Sequence, residues 1–212
     1  MILKSMNVSN VEIVFNDLTD SLNELKKSKD SPRMVRKNFT DFVNYSIKLT
    51  SIMRKEYKQN TGKLWIAENF PHWNDISELF KELRNTDQHQ IPIRVKIRDT
   101  FSFSTDRIFL TSGERGRDIV FEGDWDISNP SSDDLPKPVT LFIGEPDDPS
   151  TKIIEADRRT INYCLFASTK EIEDILKKID NDEIFYLSDA YYQILTRYFK
   201  FYKTEVESNK IQ

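Results

Sequence analysis

Leu83-Arg84-Asn85-Thr86-Asp87-Gln88-His89-Gln90-Ile91-Pro92-Ile93-Arg94-Val95-Lys96-Ile97-Arg98 is the stretch in which the chain changes its period. Before it, Ile76, Leu79, Phe80 and Leu83 recur at steps of three and four, the spacing of one face of an α-helix. After it, Ile91, Ile93, Val95 and Ile97 recur at every second position, the spacing of a strand with one apolar face. Phe101 and Phe103 continue that alternation, and Arg94, Lys96 and Arg98 make the opposite face basic. Helix on one side and strand on the other predict an α+β fold.

Working back from this junction, Asn74 or Asp75 can cap the helix that ends near Leu83. An aromatic connection with Trp65, Ile66, Phe70 and Trp73 precedes it, behind a stop at Asn60-Thr61-Gly62. Two amphipathic helices come first. Val11, Val14, Phe15, Leu18, Leu22 and Leu25 line one, and Val35, Phe39, Phe42, Val43, Ile47 and Met53 line a second over 32–57. Ser31-Pro32 starts the second, because proline suits a first turn where its missing N–H costs nothing. Basic residues, from Arg33 to Lys58, surround its apolar stripe. A short link makes two such helices antiparallel neighbours.

Working forward, further strands are expected at 107–111, 118–122, 139–143 and 160–167, separated by turn-forming segments such as Ser112–Arg117 and Ser128–Asp134. They predict one small, mostly antiparallel sheet. Ser168 with Glu171 fits a capping box for a short helix carrying Ile172, Ile175, Leu176 and Ile179. Ser188 or Asp189 can cap a last helix with Tyr191, Ile194, Leu195, Tyr198, Phe199 and Tyr202, fraying from about Glu205. The organisation is therefore a helical bundle at 1–90, a β-rich segment at 91–167 and C-terminal helices at 168–212 on the same body, without a clean linker between them.

Composition narrows function. The 212 residues include 38% apolar and 31% charged side chains and a net charge of −4, which offers no global attraction to phosphate. Cys164 is the only cysteine, so no internal disulfide forms, and its apolar neighbours Tyr163, Leu165 and Phe166 predict a buried thiol. No apolar run approaches the roughly 18 residues of a membrane span, and the N-terminus lacks a secretory pattern, so a soluble cytoplasmic protein without a membrane partner is expected. Five glycines supply no phosphate loop, and one cysteine with two distant histidines supplies no structural zinc site. Asp133-Asp134 and Asp147-Asp148 read as solvated turn acids, and no cofactor is expected. The arginines around the first strand are expected to pair with Asp99, Asp106, Glu114 and Asp118.

Chemistry then rests on Arg84, Asn85 and His89. Histidine moves protons near neutral pH, and arginine holds a phosphate or the charge that builds on it, so the pair can cleave RNA without a metal. On a regular helix residues five apart point about 140° from one another. A loosened helix end, or a site shared by two chains, is needed to bring them together. The simpler assignment pairs Arg84 with Glu82 or Asp87 and leaves His89 at the negative helix end.

Arg84-Asn85, three residues and His89, at the end of an amphipathic helix in an all-helical N-terminal region, resemble the arginine, four to six residues, histidine motif of the HEPN superfamily. The resemblance covers residues 8–90 and departs from the family pattern in that a strand, not a helix, follows His89. It implies a metal-independent ribonuclease of toxin–antitoxin or phage-defence type, with Arg84 and His89 catalytic, Asn85 auxiliary, RNA as substrate, a homodimer as the active form and an antitoxin as a partner. A reading of another class is a noncatalytic helical protein with a β appendage, binding a partner protein through Trp65, Trp73, Trp125 and the Tyr/Phe-rich last helix.

Overall fold

The computed structural model describes residues 9–65, 74–88, 92–103, 119–126, 140–143 and 152–208. They form an α+β fold with three helices, then strands, then two helices. Helix α1 (Asn10–Lys27) opens with a capping box: Ser9 Oγ accepts the Glu12 N–H while the Glu12 carboxylate accepts the Ser9 N–H. Helix α2 (Pro32–Thr61) starts at Ser31, which accepts the Met34 N–H. It runs four residues past 57 and stops at Gly62, whose φ of 69° suits a residue without a Cβ. The start of α1 (Asn10, Ile13) lies beside the end of α2 (Ile52, Lys55), so the two are antiparallel as their short link predicts. In α3 (Asp75–Gln88) the cap is Asn74, whose side-chain oxygen accepts the Ser77 N–H at 3.1 Å.

The period-2 stretch becomes β1 (Arg94–Phe103), with alternate residues buried along its whole length. It is the centre of a three-stranded antiparallel sheet, between β2 (Ile119–Asp126) and β5 (Arg158–Phe166). Ile97 stands opposite both Trp125 and Tyr163. A second antiparallel sheet pairs β3 (Thr140–Ile143) with β4 (Lys152–Glu155). One sheet is expected from the sequence, and the described residues form two. Strand β4 escapes sequence reading because Lys152-Ile153-Ile154-Glu155 is too short and too doubly apolar to show an alternation. The expected strand at 107–111 lies outside the described residues.

Helix α4 (Lys170–Ile179) is capped by Thr169, not Ser168: the Thr169 hydroxyl accepts the Ile172 N–H at 3.3 Å. Helix α5 (Ile184–Ser208) begins before Ser188, which is buried within it. Its first turn is satisfied by the Glu183 carboxylate, which accepts the Phe185 and Tyr186 N–H groups at 3.2 and 2.6 Å. The helix also runs past Glu205, because Val206 is buried against the body. The loop between α4 and α5 covers the free edge of β5, with the Leu165 N–H donating to the Asp182 carbonyl at 2.7 Å.

One apolar core joins α1, α2, α3 and α5 to Val95, Ile97, Tyr163 and Leu165 of the sheet. Phe80 is its pivot, edge-on to Phe39 and Phe42 and stacked on Tyr191 at 4.1 Å between ring centres. Trp65 belongs to it as well, edge-on to Tyr57 at 4.8 Å and to Phe201 at 5.7 Å. Tyr191, Tyr198 and Tyr202 of α5 are buried with it. These aromatics are therefore core and not the exposed contact surface that a partner-binding reading requires. Trp73 and the side chain of Trp125 lie outside the described residues.

Candidate functional site

Helix α3 fixes the candidate site through its apolar face. Leu79, Phe80 and Leu83 lock the helix into the core, which fixes the position of Arg84 and Asn85 on it. Arg84 is half-buried, and its Nε is fully shielded from solvent without a hydrogen-bond partner among the described residues. A buried guanidinium N–H without an acceptor is costly unless something else occupies it.

The expected pair between Arg84 and Glu82 is not formed. The Glu82 carboxylate accepts the Asn85 side-chain amide at 3.3 Å and lies 3.8 Å from Lys81 Nζ. Lys81 itself is held by Glu78 at 2.6 Å. Asn85 is thus turned along its own helix. Thr86 is buried, and its hydroxyl donates to the Glu82 carbonyl at 2.8 Å. Helix α3 stays regular through Gln88, so the chain does not loosen before position 89. His89 and the side chain of Asp87 lie outside the described residues.

A second cluster is visible only in three dimensions. Residues Lys96, Arg98, Phe166, Leu176, Lys177 and Asp182 line a cleft of about 520 Å³ between the sheet and α4. Its charges are mutually engaged. Arg98 donates two parallel bonds to the Asp182 carboxylate at 3.0 and 2.8 Å, Lys96 stands 3.8 Å from it, and Lys177 holds Glu173 at 2.6 Å. Arg94 rests on the Phe166 ring at 4.3 Å. Asp99 was expected to pair with these arginines but lies on the buried face, where it is fully enclosed and accepts from Arg159 Nε at 3.0 and 3.1 Å. The strand alternation separates Asp99 from Arg98 by turning them to opposite faces. Asp106, Glu114 and Asp118 lie outside the described residues.

Cys164 stands opposite Lys96 in the sheet and is buried. Burial, reinforced by the Asp182 carboxylate, pushes its thiol up to about 12, so at neutral pH it is a packed S–H and not a nucleophile. Among the described residues no three His, Cys, Asp or Glu side chains gather as a metal site, and no helix is long and apolar enough to cross a membrane. No family model, curated protein or solved structure matches the chain.

Proposed function

We propose that the chain is a HEPN-like, metal-independent ribonuclease of toxin or phage-defence type, with Arg84 and His89 as its catalytic pair. The observation that supports this most is the state of Arg84. Of the two acids expected to neutralise it, Glu82 is occupied by Asn85 and Lys81, the Asp87 side chain lies outside the described residues, and the arginine keeps a shielded Nε without a partner among the described residues. With Glu82 turned elsewhere, the charge of this half-buried guanidinium is not cancelled by that acid and can attract an anion. In the reaction, His89 takes the proton of a ribose 2′-hydroxyl, the 2′-oxygen attacks phosphorus as the P–O5′ bond breaks, the leaving 5′-oxygen takes a proton from water, and the His89 proton returns to the hydroxide so formed. Arg84 stabilises the charge on the phosphorane oxygens, and a 2′,3′-cyclic phosphate and a 5′-hydroxyl result. Asn85 is an auxiliary that must exchange its bond to Glu82 for one to substrate.

The regular helix through Gln88 favours a site shared by two chains, each giving its arginine to the other's histidine. The test is purified protein with total RNA in EDTA. Arg84→Ala is expected to slow cleavage by about 10²–10³, and His89→Ala by about 10²–10⁴. In an equimolar mixture of the two variants, half of the dimers carry one intact shared site, so about one quarter of the wild-type activity returns. Wild-type protein that leaves RNA intact, or variants that cut equally well, would exclude the assignment. Failure of the mixture to recover activity would exclude the shared site.

A further inference from the structure

Helix α2 carries seven basic and two acidic residues, a net +5 in a chain whose total is −4. Asp41 binds Lys37 at 2.7 Å, so this pair is neutral within the helix, and Glu56 accepts the Tyr202 hydroxyl at 3.0 Å. Arg33, Lys37, Lys48, Lys55 and Lys58 are exposed and, at 100° per residue, share an arc of about 80°. From Arg33 to Lys58 they span about 38 Å of helix. The other positions in the same arc are Thr40, Asn44 and Ser51, so no apolar side chain interrupts it. Phe39 and Phe42, which seat α3 through Phe80, lie about 150° away around the axis.

We infer that this ridge is a sequence-independent binding surface for the phosphate backbone of RNA. Lysine and arginine with interspersed serine, threonine and asparagine are the side chains that bind phosphate oxygens and read no base. A protein interface needs an apolar centre and is depleted in lysine, and a membrane-lying helix needs an apolar face, whereas that of α2 is spent on the core. Charge alone defines the surface. The choice of RNA over DNA rests on the ribonuclease reading. Because α3 packs on the far side of α2, the ridge and Arg84 do not form one groove within a chain, and binding is separable from cleavage by mutation.

The experiment measures anisotropy of a fluorescein-labelled 20-nucleotide single-stranded RNA with the Arg84→Ala chain, from 50 to 200 mM salt. Because Lys37 is held by Asp41, four phosphate contacts predict a slope of log affinity against log salt of about −2.8, a weakening of about 50-fold over that range. The variant Lys48→Gln/Lys55→Gln/Lys58→Gln, which keeps good helix formers at exposed positions, is expected to reduce the slope to about −0.7. Its thermal melting should match the parent. Lys170→Gln/Lys178→Gln/Lys200→Gln, also exposed, should leave binding unchanged. Absence of binding at 50 mM salt, equal weakening by the second triple, or capture of polyglutamate or anionic vesicles in place of RNA would overturn the ridge. Equal affinity for single-stranded DNA would overturn the choice of RNA. Ridge-dependent RNA binding by a wild-type chain that cuts no RNA would refute the ribonuclease reading alone.

Discussion

Single residues behave here according to what encloses them. Cys164 is apolar in its sequence neighbourhood and buried in the fold, and the enclosure raises its thiol from its ordinary value of 9 to about 12. At pH 8 the thiolate fraction falls by about one decade per unit, so labelling by a disulfide reagent should be about a thousandfold slower in the native chain than in denaturant. Comparable rates would place the thiol at the surface. The sign for stability follows: the unfolded thiol loses its proton near 9 and the folded one near 12, so this group's contribution to stability falls as pH rises through that window. Tyr163, raised to about 12 by burial, acts in the same direction above 10. Cys164→Ala should flatten the alkaline slope of the melting temperature. Arg84 shows the limit of residue-level reading. Its sequence neighbour Glu82 stands two positions away on a regular helix, about 200° around the axis, so the carboxylate meets Asn85, three positions on, and not Arg84.

At the scale of elements, the apolar periods locate every helix and the central strand, but the caps depend on what the chain does just outside each element. Ser168 with Glu171 has the spacing of a capping box, and so Ser168 reads as the cap. Strand β5 ends at Phe166 and Ile172 and Ile175 must face the core, which sets the helix to begin after Thr169. Thr169→Ala should therefore cost about 1 kcal/mol in denaturant unfolding, and Ser168→Ala only a few tenths. The reverse ranking would restore Ser168 as the cap. Helix α5 starts earlier than Ser188 for a related reason: Ser188 has a capping side chain, but Glu183 before the first turn accepts two backbone N–H groups and fills that role earlier.

The whole molecule is tied together by partners far apart in sequence. Asp99 and Arg159 stand 60 residues apart, and Asp99 is completely buried. Arg159→Met would leave that carboxylate enclosed without its counter-charge, at a cost of about 3–5 kcal/mol in chemical denaturation. Asp99→Leu/Arg159→Met should recover most of the loss, since neither charge remains to be desolvated. A single variant as stable as the parent would mean that the pair contributes only as a solvent-exposed contact does. Arg98 and Asp182 are 84 residues apart and join the sheet to the α4–α5 loop along the cleft beside α4. The change of period after Leu83, the stripes of α1, α2 and α5, and the basic arc of α2 are properties of the chain itself, because helix and strand geometry act over a few residues. Which of the 35 acids meets Arg98 or Arg159, and whether Arg84 meets any, depends on how the elements pack across the core. Ion pairing acts over a few ångströms of space rather than of sequence, so only the tertiary structure decides it.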